Sequence, residues 1–274
     1  WSANLNFSTL KNRVTELIGN DTPILGCTSG LELSNITQVG YSASQIYGVR
    51  TNGVNPDNGA RIFIDNPGRE VQYRHQMGLD SYTLVSTSER VEASEVTSAT
   101  QPLGNTIPTW FGGFNNNYTY KSWDMALNFT FSGGNYIYNG SRARLLDRRI
   151  WNNSTEVLNA WTPENTNTNI PKAVYSDNVS NGSAFLIDSN VEKGDFLRLQ
   201  TATLGYRLPQ TAFGRSGISS VRFYVQANNL FLLTGYSGVD PEISSNGNSN
   251  VASGIERNSI PQARQFSLGV NVGF

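Results

Sequence analysis

The sequence predicts an all-β chain whose strands suit the wall of an antiparallel transmembrane β-barrel with long external loops. Three observations carry this. Segments of about ten residues alternate apolar with polar side chains, the polar faces are small and uncharged, and short connections alternate with long ones. The composition agrees: charged residues are 15% of 274, below the roughly 25% of an ordinary soluble domain, while Asn occurs 32 times and Gly 26.

The opening segment places Trp1, Ala3, Leu5 and Phe7 on one face and Ser2, Asn4, Asn6 and Ser8 on the other, the period of two that a strand requires. A long connection, 9–110, follows. It is too long to be structureless, and within it Gln38–Val49 and Arg61–Gln72 are expected to form a further hairpin, broken by Gly48, Gly53, Asn55-Pro56 and Asn58-Gly59. Segment 111–121 is a noisier strand that turns at about Lys121-Ser122-Trp123 into the clearest one. There Trp123, Met125, Leu127, Phe129 and Phe131 alternate with Asp124, Ala126, Asn128, Thr130 and Ser132.

The second long connection, 133–194, allows a loose amphipathic helix over 141–161. Leu145, Leu146, Ile150, Trp151, Val157, Leu158 and Trp161 would lie on its apolar side, opposite Arg142, Arg144, Asp147, Arg148 and Arg149. A strand over 195–207, a turn region marked by Pro209, Gly214 and Gly217, and a strand over 221–231 come next. After a third long connection, 233–264, the chain closes on Phe266, Leu268, Val270, Val272 and Phe274, alternating with Ser267, Gly269, Asn271 and Gly273. Six strands result. If the last strand ends on the short-turn, periplasmic side, parity sends 9–110, 133–194 and 233–264 outward. A soluble β-sandwich, such as a glycan-binding module, alternates too, but it would bury its apolar faces between two sheets.

Several function classes are excluded or weakened. Twenty Lys and Arg against 21 Asp and Glu leave a charge of -1, which gives no footprint for nucleic acid. One Cys and one His make a Cys/His metal cage implausible, and neither a catalytic triad nor a phosphate or dinucleotide loop is present, so neither enzyme nor cofactor is expected. His75 is expected at the surface and Cys27 unpaired. The acidic stretches Tyr236–Glu242 and Asn55–Gly59 could bind calcium, but Asx and proline turns account for the same residues. Tyr136, Tyr138, Trp151 and Trp161 stand among Asn, Ser and Thr in a long loop and are the candidate ligand contacts, for sugar rings or peptide backbone, with loop packing or an interfacial belt as the plainer use. The alternating end Phe266, Leu268, Val270, Val272 and Phe274 resembles the C-terminal signal by which outer-membrane barrels are recognised for insertion.

Longer stretches carry a family resemblance. Gly194–Pro209, Val221–Leu230, Tyr236–Glu242 and Ile260–Phe274 resemble the closing region of SusC/RagA-type TonB-dependent outer-membrane transporters. Ile107–Phe114 with Tyr120-Lys121, and Trp161–Thr166 with Ile170-Pro171, are similar to segments further upstream. The likeness is dense over 104–274. It is thinner over 9–103, where Tyr47-Gly48, Gly53-Val54, Gly59 and Asp65 are the points of contact and Val91–Val96 replaces an acidic glycine-rich stretch. The resemblance implies the C-terminal part, about six to eight strands, of a 22-stranded barrel in a Gram-negative, Bacteroidota-like outer membrane. The plug domain and the earlier strands would lie outside these residues. It also implies import of an oligosaccharide or peptide, a SusD-like lipoprotein lid, the TonB complex acting through the plug, and no enzymatic step. A SusC-like barrel kept as a structural scaffold without transport is the alternative.

Overall fold

The computed structural model describes residues 1–28, 32–149, 152–214, 217–247 and 249–274. Its main element is one antiparallel sheet of six strands, in spatial order the same as chain order. These are β1 (Ser2–Thr9), β2 (Trp110–Tyr120), β3 (Trp123–Gly133), β4 (Phe196–Arg207), β5 (Ser220–Thr234) and β6 (Gln265–Gly273). A two-residue turn at Lys121-Ser122 joins β2 to β3, with Lys121 at a positive φ of 52°.

The pairing register sorts every strand residue onto one of two faces. Leu5 lies opposite Phe114, Phe114 opposite Phe129, Met125 opposite Leu204, and Leu204 opposite Val225, which faces Leu268. One continuous apolar face therefore crosses all six strands. The other carries Asn4, Asn115, Asn128, Thr201, Thr203, Gln226 and Ser267.

The noise in 195–207 has a physical cause. Phe129 pairs with Leu199 and Asn128 with Thr201, which leaves Gln200 in a bulge. The bulge shifts phase by one residue, so Leu197 and Leu199 before it and Ala202, Leu204 and Tyr206 after it share the apolar face. The neighbouring strand answers at the same level: Leu199 faces Phe231 while Thr201 faces Asn228, and Asn229 takes a positive φ of 53°.

Burial runs opposite to that of a soluble sheet. Among the described residues, Val221 and Ala227 are the only buried apolar side chains that the six-stranded sheet supplies, whereas Leu5 is 63% and Leu268 88% exposed. The buried core belongs to the long connections. Val49, Phe63, Val71, Tyr73, Tyr82, Val91, Val96 and Ile187 form one cluster; Ile46, Tyr138, Ala143, Leu186 and Ile255 form another.

Three small sheets organise this loop layer. Ile24–Thr28, Glu32–Thr37, Gln45–Val49 and Thr100–Gly104 make the first; Thr51–Val54, Arg61–Ile64, Glu70–Tyr73 and Tyr82–Leu84 the second. The third joins two connections, since Tyr136–Asn139 pairs with Val191–Lys193 and, in parallel, with Ile255–Glu256.

Two sequence expectations are corrected here. Gln38–Val49 and Arg61–Gln72 do not form a hairpin with each other, nor do they extend the six-stranded sheet: Gln45–Val49 pairs with Glu32–Thr37 and Thr100–Gly104, and Arg61–Ile64 with its own neighbours in the second sheet. Their apolar residues are short buried runs, which alternation alone cannot assign to a partner. The helix expected over 141–161 shrinks to Gly140–Leu145, with a 3-10 turn at Thr155–Asn159; Ile150 and Trp151 lie outside the described residues. The buried carboxylate of Asp147 holds Arg149, through both backbone N and guanidinium, and so turns the chain out of the helix.

Candidate ligand-binding mouth of the barrel

Where β4 leaves the loop layer, its polar face presents Phe196 and Arg198 toward the third long connection. Arg198 is one of few charges on that face, and its side chain is 3% exposed. Its guanidinium donates to Asp240 Oδ1 at 2.6 Å and to Glu242 Oε2, and stands 5.9 Å over the Phe196 ring. Asp240 in turn accepts from the backbone N of Glu242 at 3.0 Å. Both carboxylates of Tyr236–Glu242 are thus committed to a guanidinium, and among the described residues no cluster of three or more metal-ligating side chains occurs. Partial burial and the nearby Asp240 push the Glu242 carboxyl above its ordinary value, against the opposing pull of Arg198.

Beside this triad lies a cavity of about 290 Å3, bounded by the top of β3 and β4 (Ser132, Phe196) and by Pro241–Ser244. Asn135, only 8% exposed, lines it, and its Oδ1 has no hydrogen-bond partner; neither does Ser244 Oγ. A second cavity, of about 310 Å3, opens within the loop layer near Thr51, Arg61, Arg142 and Asp188. Arg61 is held there by three carbonyls, of Ser180, Gly53 and Asn169, and burial lowers its pKa to about 10. Arg142 is tied to Glu156 and to the Ser189 carbonyl at 2.8 Å. These cations are structural staples with their hydrogens largely spent.

Of the loop aromatics, Tyr136 and Tyr138 meet in one core cluster, and Trp161 packs elsewhere. Tyr138 is buried in the second core cluster, its hydroxyl donating to the Gly182 carbonyl at 3.3 Å. Trp161 is also buried; its Nε1 donates to Pro56 O at 2.9 Å, and its ring covers Gly59, where a Cβ would come within 2.6 Å of it. Tyr136 is half-buried and packs over Gly104. Trp151 lies outside the described residues. His75 is half-buried, its Nδ1 3.0 Å from the Tyr73 hydroxyl, and Cys27 is free and exposed. The residues that do meet at the mouth, Asn135, Phe196, Arg198 and Glu242, went unmarked as a group. Arg198 alone carried a signal, as one of only two charges in the strand Phe196–Arg207.

No model of a protein family matches the chain. A TonB-dependent receptor, P3, of Formosa agariphila is 32% identical over 288 residues, covering 100% of this chain and 27% of the relative. SusC of Bacteroides thetaiotaomicron, also a TonB-dependent receptor, is 24% identical over 292 residues, again across the whole chain. The chain belongs to the SusC-like TonB-dependent receptors. It spans about a quarter of the length of the curated relatives it matches. The solved structure of the RagAB peptide transporter shares the fold of this receptor chain, with a TM-score of 0.73 at 24% identity, covering 99% of the chain and 26% of the other. The receptor chain is thus a portion of an antiparallel β-barrel.

Proposed function

We propose that the chain forms part of the wall and outer face of an outer-membrane importer. It would carry an oligosaccharide or peptide inward by TonB-driven transport, beneath a SusD-like surface lipoprotein. The observation that carries this reading is the inverted burial: a six-stranded sheet with its apolar side chains turned outward and its small polar ones inward, topped by a packed loop layer. Lipid is the medium that stabilises such a face, at about 25 cal/mol for each Å2 taken from water. On this reading β1 and β6, at the two edges of the sheet, pair with the remaining strands of the same barrel, since no strand edge can stand open in hydrocarbon. Phe266, Leu268, Val270, Val272 and Phe274 then serve as the insertion signal. The three long connections (10–109, 134–195 and 235–264) face outward, where ligand and lid are met.

The test is extraction of the native receptor from outer membranes in mild detergent, followed by intact mass and identification of what co-purifies. The expected result is a species several times larger than this chain, bound to a surface lipoprotein, with uptake lost in a TonB-deficient strain. A detergent-independent soluble species would overturn the reading. A membrane complex whose loss leaves nutrient uptake unchanged would point to a scaffold.

A further inference from the structure

We infer that the edge strand Ile24–Thr28 of the loop layer is completed by a strand from the same receptor's preceding outer connection, the one from which the further neighbour of β1 descends. The first small sheet then has five strands instead of four, and Leu10, Ile18, Ile24 and Leu25 are covered. The inference rests on the barrel reading above in one respect: β1 pairs with another strand of the same receptor.

Three features support it. The first is an edge left open where others are closed. In the second small sheet, Tyr82–Leu84 is capped by the segment that follows it: Val91 N donates to Tyr82 O at 2.9 Å and Leu84 N to Glu89 O at 2.8 Å. At the opposite edge of that sheet, Thr51 donates its N–H to Asp188 Oδ1 at 2.9 Å. Ile24–Thr28 pairs with Glu32–Thr37 on one side, and among the described residues no backbone hydrogen bond forms on its other side. The strand also lacks the usual guards, since Ile-Leu-Gly-Cys-Thr holds neither a charge nor a proline. An uncharged edge with free N–H and C=O groups is a template for another strand.

The second is apolar exposure along the same stretch. Ile18 is 99% and Leu25 54% exposed, and Leu10 and Ile24 are exposed as well. Ile18 does not sit on loose chain. Leu17 N donates to Asp21 Oδ1 at 2.8 Å and Thr22 Oγ1 to Gly19 O at 2.6 Å, so an ordered turn holds it outward. The third connection already occupies the sheet face beside Gly26, where the Val251 carbonyl leaves no room for a Cβ. What stays open is the lateral edge, with apolar side chains to either side of it.

The third is position, which names the occupant. Residues 10–14 continue upward from β1. Leu10 N donates to Thr109 O at 2.9 Å, Val14 N donates to Tyr41 O at 2.8 Å, and Val14 O accepts from Gly40 N at 2.9 Å. Asn12 Oδ1 accepts from Ala43 N at 2.9 Å. One side of this strap is thereby spent on the first connection. On the barrel reading its other side lies where the further neighbour of β1 ends, about 4.8 Å away. That neighbour is antiparallel to β1, so it enters the membrane from its own outer connection. This chain covers 27% of a curated relative, so the length for such a connection exists in the family. A lipoprotein or a second receptor reaches the edge only after that connection has moved aside.

The experiment uses the full-length receptor in its native outer membrane, with the photo-cross-linker p-benzoylphenylalanine in place of Leu25. Cross-links are located by mass spectrometry, and folding is read by heat-modifiable gel mobility. The expected result is an intramolecular cross-link from position 25 to a residue N-terminal to Trp1, in a segment between two barrel strands. In the unsubstituted receptor, the amides of Ile24–Thr28 should exchange as one slow set, about tenfold or more below their intrinsic rates. Should the Leu25 variant misfold, the same cross-linker at Ile18 reads the same partner. Cross-links only to a lipoprotein or to a second receptor copy overturn the inference and leave the barrel standing. So does a folded receptor that gives no cross-link from either position, or one in which the outward-facing half of these amides exchanges at intrinsic rates. A receptor that stays soluble without detergent overturns the barrel reading, and this inference with it.

Discussion

Replacing Arg198 with Met separates the sheet from the loop layer without touching the backbone ladder of either. The side chain is 3% exposed, as is almost all of Asp240 at 2%, so the substitution leaves a carboxylate buried with only backbone donors, the N–H of Glu242 at 3.0 Å among them. Removing one partner of a buried pair costs about 3–5 kcal/mol, most of it the uncompensated charge. The β3–β4 and β4–β5 registers do not depend on the guanidinium, so the loss falls on the docking of 235–264. A penalty of ~3 kcal/mol corresponds to a little over two factors of ten in the local opening equilibrium. Amide hydrogen exchange of the purified receptor reads this directly. The Tyr138 N–H, which donates to Gly254 O at 2.9 Å across two connections, should exchange roughly a hundredfold faster, while β1–β2 amides stay unchanged. The triple variant Arg198→Met, Asp240→Asn, Glu242→Gln removes the stranded charge and should recover most of the protection. Exchange in the single variant within about threefold of wild type, or loss spread evenly over the sheet, would refute the assignment of Arg198 as the bolt between barrel and loops.

Face assignment is tested by adjacent substitutions at mid-strand. Leu127→Arg, on the apolar face, should lower the stability of the refolded barrel in lipid vesicles by about 2–4 kcal/mol, whereas Asn128→Arg on the polar face should change it little; equal effects in urea titrations would mean that the faces are misassigned. Gly112→Ala sets a Cβ 2.2 Å from Asn6 O and 2.6 Å from Phe131 Cζ, forcing β1 from β2 at a cost of roughly 1–3 kcal/mol. Gly113→Ala, with its nearest atom at 3.3 Å, should pass with little change in the same titration. The Glu242 carboxyl is raised by burial above its reference of 4.5, so its contribution to loop docking is complete below that pH and is lost as pH rises through the raised value. Protection of 235–264, corrected for intrinsic exchange, should therefore fall between acidic and neutral pH, and Glu242→Gln should flatten that slope; an identical slope in the variant would exclude Glu242 as its source.

What the sequence discloses depends on whether the neighbours that shape a residue are local. The sheet was legible because its constraint is a period of two along each strand, with lipid rewarding one face: Trp123–Ser132 and Phe266–Phe274 read without ambiguity. Even the indistinct Phe196–Arg207 obeys that constraint once Gln200 is set aside. The loop layer was not legible, because its partners lie far along the chain. Val49 bridges to Ile187, and Tyr138 pairs with Ile255. Short apolar runs such as Arg61–Ile64 carry no mark of which sheet receives them. The mouth fails for the same reason. Asn135 and Ser244 are ordinary residues in an Asn- and Ser-rich chain, and only folding brings them to the wall of one cavity.

That richness in Asn is itself explained by the division of the chain into sheet and loop layer. Strands satisfy their backbone polar groups by pairing, but irregular connections packed against each other need another source of donors and acceptors. A side-chain amide supplies both ends at once. Asn35 Nδ2 reaches Ser253 O at 3.0 Å, joining the first long connection to the third. Asn139 Oδ1 caps the helix by accepting from Arg142 N at 2.9 Å, while its Nδ2 donates to Glu192 and Ser237. Asn190 Nδ2 donates to Asn181 O at 2.9 Å, and Asn181 Nδ2 to Leu146 O at 3.0 Å. All four are buried. Each acts as a short piece of ladder between segments that cannot form one, at about 0.5–1.5 kcal/mol net per bond. Buried amides of this kind hold the loops in fixed positions without a large apolar core.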